Sequence, residues 1–217
     1  MKKIAIVLSG SGHQDGTEIT EAVSTIITLS QLGAEIYFFA PNIDLEEVNH
    51  LTGKKTGLKK NLMQEAARIA RGHVKDIRDL SAKDFDGMVF PGGMGAALNL
   101  STFGEKGAQG QVEPQVKRVI EEFHRESLPI AAVCIAPTLL ALVLGKHHVS
   151  ITIGSDQETA QELEKTGAKH VNCSVDDFVT DRENKLVSTP AYMFGESKPN
   201  EVFKGISGCM KEFFEMA

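Results

Sequence analysis

The chain has no tryptophan, two tyrosines and three cysteines in 217 residues. Cys134, Cys173 and Cys209 are far apart and odd in number, so neither a disulfide framework nor a paired zinc-ligand spacing can be read from them. Free thiols point to a reducing compartment, and the cytoplasm is expected. No apolar run approaches the roughly 20 residues of a spanning helix, so no membrane partner is expected. The opening Met1–Leu8 has the look of a short signal peptide. Its apolar stretch stops at Ser9-Gly10-Ser11-Gly12 with no small-residue cleavage site behind it, and it reads instead as a first buried strand. Basic charge is also scarce: 23 Lys and Arg against 29 Asp and Glu give a net charge of −6, without the footprint of nucleic-acid binding. There is no internal repeat, low-complexity tract or linker, so one domain over 1–217 is expected.

What is present is a repeating unit of short apolar run, glycine turn and amphipathic helix. Hydrophobic residues make up 41%, enough for a sizeable core. Ile4–Leu8, Ile36–Ala40, Phe85–Phe90, Pro129–Val133 and Val149–Ile153 read as strands, with Phe178–Thr180 and Lys185–Ser188 flanking a turn. Helices are expected from Glu18 to Leu32, with Ile19, Val23, Ile26 and Ile27 on one stripe, and from Asn61 to Arg71. Others carry Val112, Val116, Val119, Ile120 and Phe123; span Thr138–Leu144; and follow a capping box of Ser155 and Glu158. The last presents Val202, Ile206, Met210 and Phe213. Asn42–Lys60 is polar and aperiodic, an excursion whose lysines face solvent. Strands alternating with helices specify an α/β fold with a mostly parallel sheet and helices on both faces.

Three segments could carry chemistry. In Pro129–Pro137 a buried strand meets a helix at Cys134, among small neighbours and before a proline suited to a first helical turn. That arrangement lifts a nucleophile above the carboxyl edge of a sheet, where the helix start favours a thiolate. A buried packing cysteine fits the local sequence equally well. Phe90-Pro91-Gly92-Gly93-Met94-Gly95 places glycines after a strand, where backbone N–H groups can approach an oxyanion. Ser9–Glu18 follows the first strand but lacks both the dinucleotide fingerprint and a P-loop lysine. Glu18, at the head of the first helix, has a bland reading as a partner of the helix dipole.

Taken in order, these segments resemble a known family. Lys2–Gly10, Asp15-Gly16, Glu18-Ile19, Ile69–Gly72, Pro91-Gly92-Gly93, Gly95-Ala96-Ala97 and Asn99-Leu100-Ser101 are part of the likeness. Cys134–Pro137, Thr152-Ile153-Gly154, Val175-Asp176-Asp177 and Thr189–Met193 complete it. The chain resembles the ElbB branch of the DJ/PfpI superfamily of class I glutamine amidotransferase-like proteins. The resemblance implies a flavodoxin-like three-layer sandwich with Cys134 as nucleophile at the elbow. It implies Glu18 beside the sulfur as a proton-sharing acid, and an oxyanion hole from the N–H groups of Gly93 and Ile135, next to Gly92.

The departures narrow the chemistry. Ile135 stands where the protease-like branch has histidine, and Thr189-Pro190-Ala191 shows none where amidotransferases place theirs. Without that base, amide cleavage is disfavoured. The resemblance instead implies a glyoxalase with no cofactor or metal, turning glyoxal into glycolate and methylglyoxal into lactate, and a homodimer. Three rivals stay open: Cys134 as a redox-sensing thiol, an accessory role linked to isoprenoid biosynthesis, and a subunit of a larger assembly. His147 and His148 read as surface residues.

Overall fold

Apolar runs alternating with amphipathic segments become 11 strands and eight α-helices in the computed structural model, which describes residues 1–217. In chain order these are β1 (Lys3–Val7), α1 (Ile19–Gln31), β2 (Glu35–Ala40), β3 (Asp44–Asn49), β4 (Lys54–Asn61), α2 (Leu62–Ile69) and β5 (Val74–Asp76). Then come β6 (Gly87–Phe90), α3 (Met94–Leu98), α4 (Phe103–Lys106), α5 (Pro114–Arg125), β7 (Ile130–Val133) and α6 (Pro137–Leu144). The chain ends with β8 (Ser150–Ile151), α7 (Gln157–Lys165), β9 (Lys169–His170), β10 (Val179–Asp181), β11 (Leu186–Thr189) and α8 (Pro199–Met216). Seven strands form the main sheet in the order β10-β11-β7-β6-β1-β2-β5. Only β10 runs antiparallel, to β11. Helices cover both faces, and the architecture is the flavodoxin-like, class I amidotransferase-like sandwich. β1, β6 and β7 are apolar and buried almost throughout because a central parallel strand meets a helix layer on each side.

α5 shows how the sequence dictates an element. Glu113 accepts the Val116 N–H at 2.8 Å, Pro114 opens the helix, and Val116, Val119, Ile120 and Phe123 are buried at helical spacing. Each such buried side chain contributes roughly 1.5–3 kcal/mol. The capping box expected at Ser155 and Glu158 is absent. Asp156 caps α7 instead, accepting the Thr159 N–H at 2.8 Å, one residue beyond the expected start. The strand expected over Val149–Ile153 shrinks to β8, which pairs with β9 outside the main sheet.

Two regions differ more from the sequence pattern. α1 turns its apolar stripe outward: Ile19, Val23 and Ile27 are each 43% exposed, while Glu21, Ala22, Ser24, Thr25, Thr28 and Leu29 are buried. Small, slender side chains on the inner face let α1 lie against α8, and they carry Glu21 inward. The aperiodic Asn42–Lys60 stretch forms the antiparallel β3–β4 hairpin, broken by an irregularity between Glu46 and Val48. Its lysines are partly tied: Lys55 pairs with Glu46 at 2.6 Å and Lys60 with Glu47 at 2.9 Å. No helix is long and apolar enough to cross a membrane.

Candidate active site

The carboxyl ends of β1, β6, β7 and β11 sit side by side, and the loop after each contributes to one place. Ligands of open α/β sheets bind at this edge. After β7 the chain turns through Cys134, whose φ of 61° lies in the left-handed region. A non-glycine residue held there costs about 1–3 kcal/mol and persists only where its surroundings enforce it. The enforcement is visible. Cys134 N–H donates to Thr189 O at 2.9 Å, and Pro137 starts α6 immediately beyond. The sulfur is directed at the N–H groups of Gly93 and Ile135. Cys134 is 7% exposed, so a small face of it remains open.

The carboxyl beside the sulfur is Glu21, not Glu18. Glu18 occupies the N-cap of α1 in an extended conformation, and its Oε2 accepts the Glu21 N–H at 2.6 Å. That helix-capping role occupies the side chain, although Glu18 still borders the cleft described below. Glu21, three residues further on, points into the protein. Its Oε1 accepts the Tyr192 N–H at 3.2 Å, presented by a turn in which Ala191 has a φ of 43°. Its Oε2 has no conventional partner and lies beside the Cys134 thiol.

Burial, reinforced by the nearby Glu18 charge, pushes the Glu21 carboxyl up to about 8. Burial and the Glu21 charge push the Cys134 thiol up as well, while the N–H groups of Gly93 and Ile135 pull it down. At neutral pH Glu21 is therefore mostly a neutral acid, able to donate its proton to sulfur. The pair resists negative charge, so each group holds its proton more tightly than it would alone. This corrects the simple expectation of a helix start that lowers the thiol. The other thiols have no such companions: burial raises Cys173 to about 11 and Cys209 further still.

Gly92 makes the close approach possible. A Cβ there would stand 2.4 Å from both Cys134 Cβ and Glu21 Oε2. Gly93, with a φ of 98°, carries the chain into α3 while its N–H faces the sulfur. Above this floor opens a cleft of about 680 Å³, bordered by His13, Glu18, Gly93, Cys134, Ile135 and Tyr192 among others. His147 lies elsewhere, its ring 4.8 Å from that of His124. No group of three or more His, Cys, Asp or Glu side chains is arranged to hold a metal.

The model of the DJ-1/PfpI family matches residues 2–189. The chain belongs to the DJ-1/PfpI family. It is 40% identical to human "Glutamine amidotransferase-like class 1 domain-containing protein 3, mitochondrial", over 99% of this chain and 83% of that protein. The rat "ES1 protein homolog, mitochondrial" is 40% identical over 99% of this chain and 84% of its own length. Among solved structures, an isoprenoid biosynthesis protein with amidotransferase-like domain from Ehrlichia chaffeensis superposes with a TM-score of 0.93 at 34% identity. That match covers 100% of this chain and 99% of the other. The human and rat relatives bear mitochondrial names, which lend no support to the cytoplasmic expectation.

For this DJ-1/PfpI member, the structure gathers Cys134, Gly92, Gly93 and Ile135 at one point and moves the carboxyl from Glu18 to Glu21. Helical geometry holds the signal that could have found Glu21. A residue three positions inside the cap lies on the inner face when the flanking Ala22, Thr25 and Leu29 are the ones buried. His13 and Tyr192 were also missed as cleft residues, because nothing in a loop sequence says which way its side chains turn.

Proposed function

We propose that the chain is a cofactor-independent glyoxalase of the ElbB branch, converting glyoxal to glycolate through a covalent adduct on Cys134. The observation that carries this is the buried Glu21 carboxyl set beside a nucleophile-elbow thiol, with two backbone N–H donors at the same sulfur. Addition of a thiol to an aldehyde moves a proton from sulfur to oxygen and creates no net charge. A thiol–acid pair that resists a second negative charge is suited to that step. In the hemithioacetal, Glu21 as carboxylate takes the proton from the carbon bonded to sulfur, giving an enediolate, and returns it to the neighbouring carbon while the hydroxyl proton passes from the first oxygen to the second. The result is a thioester, which water hydrolyses to glycolate and free thiol. The Gly93 and Ile135 N–H groups stabilise charge on the oxygen of the sulfur-bearing carbon. Methylglyoxal would give lactate by the same route.

The test is glycolate formation by the pure protein beside Cys134→Ala, without glutathione or added metal. Loss of turnover in the variant is expected; equal turnover in both would remove the reading. A link to isoprenoid biosynthesis rests on the name of the Ehrlichia protein alone.

For the expected homodimer, α1 offers the face. Ile19, Val23 and Ile27 form an exposed stripe symmetric about Val23, and Glu21, the single charged residue of α1, is turned inward. Across a two-fold axis through Val23, Ile19 of one copy would meet Ile27 of the other, as an isologous contact requires. Val23→Lys is expected to shift the protein to monomer in size-exclusion light scattering; an unchanged mass would exclude this face.

A further inference from the structure

We infer that His13 is the base that activates water for release of the acyl group from Cys134, an inference that rests on the covalent reading above. His13 borders the same cleft as Cys134, Gly93 and Ile135. It is exposed, and neither ring nitrogen is held by a protein group. Its position is nevertheless fixed. Met94 N–H donates to His13 O at 2.8 Å, tying the residue to the segment that carries the Gly93 N–H. The same loop is closed by Gly12 N–H to Thr17 O at 2.8 Å and by Asn99 Nδ2 to Asp15 O at 2.8 Å.

The ring has an orienting neighbour too. His50, from the hairpin, meets it edge-on with centroids 5.1 Å apart and an interplanar angle of 78°. The His50 ring is itself held by Val48 O at 3.1 Å and by the Gln14 N–H at 3.3 Å. An imidazole on a fixed loop, packed edge-on against His50 and bordering the cleft, suits a general base.

Two of the other cleft carboxylates have commitments. Glu18 caps α1 at 2.6 Å, and Glu162 accepts the Ala108 N–H at 2.7 Å and pairs with Lys165. Glu21 is enclosed beside the sulfur, where it serves the carbon proton and the thiol rather than an incoming water. Hydrolysis of the thioester needs a proton acceptor on the open side. Water adds its oxygen to the acyl carbon and gives a proton to His13. The carbonyl electrons move to the oxygen facing Gly93 and Ile135, then return as the carbon–sulfur bond breaks. The carboxylic acid departs, and the proton on His13 returns to the Cys134 sulfur, restoring the thiol beside the Glu21 carboxylate. This places on the first loop the histidine that the segments after Cys134 and after Thr189 lack.

p-Nitrophenyl acetate separates the two steps without using glyoxal. Acylation of Cys134 gives a burst of nitrophenolate, and deacylation sets the steady rate. His13→Gln is expected to keep the burst amplitude, slow the steady rate about 10²-fold and accumulate acetyl-Cys134 in the intact mass. His13→Ala is expected to regain rate with added imidazole. A normal steady rate and acyl lifetime in His13→Gln would overturn the assignment while leaving Cys134 as nucleophile. No Cys134-dependent burst in the native protein would overturn both.

Discussion

Cys134 and Cys209 are both buried and both pushed above the ordinary thiol range, yet only one has the surroundings of a nucleophile. Cys209 lies on the inner face of α8, where burial and the charges of Cys173 and Glu212 hold its proton in place. Cys134 sits at a strained turn, faces two N–H donors, lies beside Glu21 and opens on a cleft. Burial alone makes a thiol inert. Chemistry comes from partners that accept its proton and stabilise the charge of its adducts.

The sharpest way to break this contrast is to exchange the two sites. Cys134→Ala is expected to lower the glycolate rate by at least about 10³-fold, as loss of a covalent nucleophile does. Cys209→Ala should leave the rate unchanged and cost roughly 1–2 kcal/mol of stability, readable by urea denaturation. Loss of activity in Cys209→Ala with an intact fold would erase the distinction.

Next in size is the proton partner. Glu21→Gln is expected to cut kcat by about 10²–10⁴-fold. Because Glu21 must be ionised to act as base and its pKa is about 8, kcat/KM of the native protein should rise with pH and level off above that value. The same carboxyl costs stability. Its folded-state pKa lies above the ordinary value of 4.5, so the folded state binds more protons, and stability falls as pH rises from there to about 8. The loss is on the order of 5 kcal/mol for that shift. Glu21→Gln should therefore melt higher than the native protein at pH 9 and differ little at pH 4.5. A flat pH–rate profile in the native protein would remove Glu21 from the chemistry.

Most of the fold was legible because core strands of a parallel sheet are continuous apolar runs, and α5 and α8 repeat at helical spacing. The elbow was legible because the family resemblance decided for a nucleophile where a lone cysteine between an apolar strand and a proline-started helix, by itself, reads equally well as packing. Two features were hidden. The inward face of α1 is polar and small, so hydrophobic periodicity selected the exposed stripe of Ile19, Val23 and Ile27 instead. With that stripe turned inward, Glu21 falls on the solvent side, and Glu18 takes the acid's role from the family resemblance alone. Edge strand β5 is three residues long, Val74–Asp76, with too little pattern to register.

The smallest expected effect concerns the approach that joins the two halves of the site. Gly92→Ala would set a methyl group 2.4 Å from Cys134 Cβ and Glu21 Oε2, which must then separate. The rate should fall about 10-fold to 10²-fold with the fold retained, because ångström-scale misplacement of reacting groups costs that much. Native activity in Gly92→Ala would mean that contact between sulfur and carboxyl is dispensable.

Every step proposed for glyoxal requires Cys134 to carry the substrate covalently, and acid quenching during turnover tests this directly. Mass spectrometry of the quenched protein and its peptides is expected to find a hydroxyacetyl thioester on Cys134, with Cys173 and Cys209 unmodified. Glycolate accumulating with Cys134 unmodified throughout, or with the acyl group on another cysteine, would contradict it.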